Sequence, residues 1–205
     1  MNFLAHAYLS GDNKKILLGN FIGDFIKGRQ ALNEFEPEII RGVELHRAID
    51  EYTDAHPVVH QSKNRLRQGY RHYAGVIVDV FYDHFLATHW RRFHQQPLAE
   101  FVSKTYATLE GFSPVLPLRF KQMFPYMIRG NWLVSYSEIH GIHRALAGMA
   151  SRTPYESKME HASEDLRDHY GKFQDEFERF FPDLKVFAEE WLLHQNPASP
   201  NEASA

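Results

Sequence analysis

The sequence predicts an all-α fold, a single-domain helical bundle. Three observations lead there: apolar residues recur at spacings of four along the chain, no stretch sustains strand alternation, and prolines stand where helical segments begin or end. The 205 residues suit one domain with a core of its own, and no repeat or linker divides them.

The elements follow in order. "MNFLAHAYLS" is apolar around an isolated His6. Gly11-Asp12-Asn13 is a turn, with Asp12 or Asn13 placed to cap the next helix. Leu17, Phe21 and Phe25, with Leu18, Ile22 and Ile26, put that helix over Lys14–Lys27. Gly19 and Gly23 lie four apart on it, which lets another helix come close. Pro37 suits a first helical turn and opens "PEIIRGVELHRAIDEYTDAH", which stops before Pro57. A basic run, "KNRLRQGYRHY", leads into an apolar helix from Tyr73 to Phe93. Pro97 opens "PLAEFVSKTYATLEGF", and Pro114 and Pro117 bracket a break. Residues 118–152 read as two or three helices interrupted near Pro125 and Gly130. Leu166, Tyr170, Phe173, Phe177 and Phe180 share a final helical register. The domain is expected over residues 1–193, with a polar, disordered tail over 194–205.

Composition narrows the function classes. Sixteen Phe and ten Tyr call for a bulky core. A net charge of −3 does not advertise nucleic-acid binding. The absence of Cys removes disulfides, thiolate metal sites and Cys nucleophiles, and fits a reducing cytoplasm. The start of the chain lacks a basic segment and a long apolar run, so no signal peptide is expected, and no apolar run is long enough for a membrane span. No G-x-S-x-G, P-loop, dinucleotide fingerprint or H-E-x-x-H occurs. Thirteen His are many for this length.

Chemistry enters with polar residues on apolar stripes. In "VELHRAID", Asp50 lies about 40° from His46 on the helix, inside the arc of Val43, Ile39 and Leu45, with Arg47 and Glu44 opposite. In "VIVDVFYDHFLATHW", Asp79 and Asp83 share one stripe of a helix apolar nearly all round, the signature of a central helix. Burying two neighbouring carboxylates is costly unless a cation offsets them. His84 lies off their stripe. Asn20, Asp24 and Lys27 form a further polar stripe. Asp and His ligands without Cys suit Mn²⁺, Mg²⁺, Fe or Zn²⁺. Each residue also has a bland reading. His46 and Asp50 make an i,i+4 pair, Asp79 and Asp83 have Arg65, Arg67 or Arg71 as salt-bridge partners, Asp24 and Lys27 form a solvated face, and His6 is a satisfied core histidine. His140, His143, His161, His169 and His194 read as surface.

The blocks "MNFLAHAYLS", "GNFIGDFIKG", "GVELHRAIDEYTDAHP" and "YAGVIVDVFYDHFLATHW" resemble the acyl carrier protein phosphodiesterase family, and "NWLVSYSEIHGIHRALAGMASR" resembles its later segment. The resemblance implies an all-α fold related to the HD-type metal-dependent phosphohydrolases. It implies hydrolysis of the phosphodiester joining 4′-phosphopantetheine to a serine of holo-acyl carrier protein, with Mn²⁺ as the expected activator. Carried onto this chain, it implies metal ligands among His6, Asp24, His46, Asp50, Asp79, Asp83 and His84. Chemistry then gives catalytic roles to Asp24, His46 and Asp83 and phosphoryl contacts to Lys27, Arg47 and Arg71. No His is followed directly by Asp, so the pattern departs from the standard HD signature; Asp83-His84 has the reverse order. An acidic carrier has "KNRLRQGYRH" and "WRRFH" as basic docking candidates, whose plainer reading is solvated charge. The rival functions are an HD-like enzyme acting on a nucleotide or other small phosphodiester, and a non-catalytic helical binding protein.

Overall fold

Among the described residues of the computed structural model, 1–28 and 30–194, every regular element is helical. The order is α1 (Phe3–Tyr8), α2 (Lys14–Ile22), α3 (Pro37–Ala55), α4 (Pro57–Tyr70), α5 (Ala74–Thr88), α6 (Trp90–Phe93), α7 (Leu98–Gly111), α8 (Leu118–Arg129), α9 (Trp132–Ser135), α10 (Ile139–Ala150), α11 (Ala162–Asp168) and α12 (Tyr170–His194). Short 3₁₀ turns join several of them. His194 ends α12, and the rest of the expected tail lies outside the described residues.

The local signals act where expected. Asn13 caps α2 by accepting from the amides of Lys15 and Ile16. Pro37 and Pro57 occupy the first turns of α3 and α4. Three expectations are corrected. The helix expected over Lys14–Lys27 is α-helical only to Ile22, and Gly23–Phe25 is a 3₁₀ turn. The helix expected over Tyr73–Phe93 divides at His89, whose Nδ1 and backbone amide both donate to the Phe85 carbonyl. Pro125 sits inside α8 without breaking it, because its position is exposed and the carbonyl it leaves unpaired can face water.

The central helix is α5, with every residue from Val80 to Ala87 buried. It packs against α1, α4, α10 and α12. From α12, Phe173 meets Phe81 edge-on, Phe177 meets Tyr82 and Phe85, and Phe181 meets Phe93. Each such ring buries a large apolar surface and adds pair geometry worth about 0.5–1.5 kcal/mol. Where α2 crosses α3 the backbones nearly touch: a Cβ at Gly19 would lie 2.0 Å from the Ile39 carbonyl, and one at Gly42 would lie 2.3 Å from that of Ile16. This close crossing delivers side chains of α2 and α3 to one place.

The basic run divides by role. Arg65 donates to both oxygens of Glu176 at 2.7 Å and lies over Phe173, while Ser62 joins Glu176 to Tyr82 at 2.5 and 2.8 Å. Arg65 therefore stitches α4 to α12 and is not a free docking residue. Lys63 pairs with Asp54. No described helix is long and apolar enough to cross a membrane.

Candidate metal centre

Four segments converge at one end of the α2–α3 crossing. His6 comes from α1, Asn20 from α2, Asp24 from the turn after it, and His46 and Asp50 from α3. The imidazoles of His6 and His46 stack with ring centroids 4.0 Å apart. His46 fits because position 23 is glycine: a Cβ there would lie 2.4 Å from its Cγ.

Asn20 sets both rings. His6 Nδ1 donates to Asn20 Oδ1 at 2.8 Å, and His46 Nδ1 donates to the Asn20 carbonyl at 2.8 Å. The Asn20 amide is fixed in turn, donating to the His6 carbonyl and to Ser10 Oγ. With both Nδ1 protons committed, both Nε2 lone pairs point at acceptors. His6 Nε2 is 3.2 Å from Asp50 Oδ1, and His46 Nε2 is 3.2 Å from Asp50 Oδ2 and 3.4 Å from Asp24 Oδ1. An imidazole whose distal N–H is held by a carbonyl and whose other nitrogen faces a carboxylate is the usual setting of a metal ligand. His6, His46 and Asp50 each offer a ligand atom within 4.8 Å of the others.

The electrostatics agree with this donor set. Burial, reinforced by His46, pushes His6 down to about 4, so it is a neutral donor at pH 7. Burial also opposes charge on His46, but Asp24 and Asp50 outweigh it and hold its pKa above the ordinary value. Burial alone would raise Asp50; the Met1 ammonium and His6 instead hold it well below the usual carboxylate range. Asp24, hydrogen-bonded to His46, is also held down although its side chain is 73% exposed. The charge pattern that favours a proton on His46 favours a divalent cation in its place.

The remaining predicted residues separate. Asp79 reaches the edge of the cluster, where its buried Oδ1 lies 3.2 Å from the Met1 ammonium and has no hydrogen-bond partner. That ammonium is also 3.3 Å from Asp50 Oδ1. Burial disfavours its charge, yet Asp79 and Asp50 raise its pKa to about 10, and it supplies the positive charge that offsets Asp79. Asp83 is not brought to the trio. Its oxygens accept from the amides of Leu4 and Ala5 at 2.8 and 3.1 Å, so it caps α1 from α5. His84 points away, with Nδ1 on the Tyr136 carbonyl and Nε2 on the Tyr170 hydroxyl. Lys27 and Arg47 are exposed, and Arg47 donates to the carbonyl of Ile26, two residues after Asp24. Arg71 is exposed and lines a cleft with Lys63, Arg67 and Asp79.

A stability test separates capping from ligation at Asp83. Asp83→Asn leaves one acceptor oxygen for two amides and is expected to cost about 1–2 kcal/mol while sparing metal affinity. Burial pushes Asp83 up to about 7 against the two amides, from 3.8 unfolded. The folded state therefore binds the extra proton between those values. The group's stabilisation is full below about pH 4 and is lost as pH rises towards 7. Urea midpoints across that range should fall with pH more steeply for the wild type than for Asp83→Asn. A variant of normal stability that no longer binds metal would return Asp83 to the ligand set.

The family described as acyl carrier protein phosphodiesterase matches residues 1–184. A protein of that name from Klebsiella pneumoniae subsp. pneumoniae is 36% identical over 190 residues, covering 92% of this chain and 98% of its own. One from Enterobacter sp. (strain 638) is 35% identical over 189 residues, covering 92% and 97%. One from Photorhabdus laumondii subsp. laumondii is 32% identical over 190 residues, covering 92% and 96%. No solved structure matches, so kinship with the HD-type phosphohydrolases rests on the resemblance alone.

Proposed function

This chain belongs to the acyl carrier protein phosphodiesterase family, and on that premise we propose that it hydrolyses the phosphodiester linking 4′-phosphopantetheine to a serine of holo-acyl carrier protein, releasing apo-carrier. The observation that carries the reading is the convergence of His6, His46 and Asp50 from two helices on one point. Those three residues would hold a divalent cation, Mn²⁺ in our reading, with Asp24 at the open side. A cation there supplies Lewis acidity towards a phosphoryl oxygen and towards the attacking water.

The chain's own groups do the rest. Asn20 keeps both imidazoles in the tautomer that presents Nε2. Asp24, ionised and open to solvent, accepts a hydrogen bond from the water and orients it, and the proton the water gives up goes to the departing serine oxygen. Lys27, three residues after Asp24, and Arg47, bonded to the Ile26 carbonyl, are exposed cations that meet the negative charge developing on the phosphoryl oxygens. Arg71 lines the cleft that reaches Asp79 and offers a further cation. Asp83 takes no direct part in this scheme because α1 occupies both its oxygens. The cysteine-free chain suits work in the cytoplasm.

Intact-mass analysis of holo-carrier incubated with the protein tests this reading. Apo-carrier is expected to appear with Mn²⁺, to be absent after exhaustive chelation, and to return on adding Mn²⁺. Full activity in chelated, metal-free protein would overturn the metal assignment. Hydrolysis of nucleotides or small diesters with the holo-carrier untouched would overturn the substrate.

A further inference from the structure

A second cleft, of about 310 Å³, lies between α9–α10 and the start of α1. That is the small end of the range for sites that enclose a small molecule, roughly 300–1,000 Å³. Its inner wall is Phe3 and Tyr136. Asn2, between Met1 at the polar cluster and Phe3 in the cleft, donates to the Tyr136 hydroxyl at 3.3 Å. The chain thus passes from the candidate metal centre at Met1 to the cleft at Phe3. Trp132 and Met149 extend the apolar wall.

Two features of the cleft bear on what it could hold. Arg144 on α10 and Arg152 just past its end both line it; both are exposed, and neither pairs with an acidic side chain among the described residues. Gly148, one turn after Arg144, also lines it, and a Cβ there would meet nothing within 4 Å. A glycine inside a helix costs about 0.5–1 kcal/mol relative to alanine. Gly19 and Gly42 repay that cost by letting helices touch; at Gly148, as at Gly69, Gly111 and Gly171, a Cβ would meet open space, and here that space is the cleft.

We infer that this cleft receives the phosphopantetheine arm, an inference that rests on the proposed function. The arm is a linear, uncharged chain in which apolar segments alternate with amide carbonyls, and it ends in a phosphoryl group. The apolar walls match its methylene and methyl groups. The two guanidinium groups, with no acidic partner of their own, donate to its carbonyl oxygens. An arm lying here leads its phosphoryl end past Phe3 and Tyr136 towards His6, His46 and Asp50. Arm recognition and phosphoryl chemistry are thereby divided between the cleft and the metal centre.

Calorimetric titration with pantetheine, which carries no phosphate, tests the cleft without relying on hydrolysis. Wild-type protein should bind it saturably. Gly148→Ala adds one methyl to open space and should retain binding. Gly148→Phe fills the cleft and should weaken binding by about tenfold or more, as should Arg144→Met with Arg152→Met. Thermal midpoints near that of the wild type would show that the variants fold. For hydrolysis, the ratio of kcat/KM on holo-carrier to that on a small diester lacking the arm should fall about tenfold in Gly148→Phe. No pantetheine binding by the wild type, or equal binding by a folded Gly148→Phe, overturns the arm site even if holo-carrier is cleaved. Pantetheine binding that Gly148→Phe abolishes, in a protein that leaves holo-carrier intact, would keep the site and overturn the reaction instead.

Discussion

Asp50→Asn is expected to abolish hydrolysis of holo-carrier while the protein stays folded. Asp50 is the carboxylate that faces the Nε2 atoms of both imidazoles, with one oxygen towards each. Asparagine keeps its shape but removes its charge and replaces one oxygen with a donor. That donor would face a lone pair a cation needs. A residue that only supports a metal ligand typically costs about 10–100-fold on mutation, and the loss here should exceed that. Metal bound per protein should fall alongside kcat/KM. The fold should survive, because Asp50 is half-exposed at the cluster and the Met1 ammonium keeps Asp79 beside it. Near-normal turnover with full metal content in Asp50→Asn would remove Asp50 from the ligand set.

Arg65→Glu is expected to give the largest loss of stability, and through packing, not docking. The guanidinium lies in a bidentate pair with Glu176, whose side chain is only 5% exposed. Removing one partner of such a pair costs about 3–5 kcal/mol, and a second carboxylate in place of the cation adds repulsion. Urea unfolding should show the drop directly. Replacing both residues by apolar ones of similar volume, Arg65→Met with Glu176→Leu, should recover much of it, because no charge is then left buried without a partner. An unchanged midpoint in Arg65→Glu would show the pair to be incidental. A docking test on the basic run therefore belongs to Arg67 and Arg71, which are exposed and line the cleft beside Asp79.

Much of the architecture was legible in local chemistry. Asn13, Pro37 and Pro57 mark helix starts because capping and proline geometry act within a few residues. The apolar residues on nearly every side of Ile77–Leu86 identify a central helix, because only a helix covered on most sides can bury them. His46 and Asp50 were legible as a pair facing inward because they share a stripe of one helix.

The partners of buried polar groups were not legible, because they come from other helices. Asp79 and Asp83 look equivalent in sequence, one turn apart on the same stripe. The tertiary structure gives one the Met1 ammonium and the other the amides of α1. Asn20 reads only as a polar residue on α2; the α2–α3 crossing at Gly19 and Gly42 makes it the acceptor for two imidazoles. Arg65 reads as surface charge until α12 brings Glu176 to it. By itself the sequence determined that the chain is helical, where several helices begin and which faces turn inward, since capping, periodicity and proline geometry act over one or two turns. Only the tertiary structure decided which of the inward-facing charges meet, because a buried charge takes its role from whatever donor or acceptor packing places within about 3 Å of it.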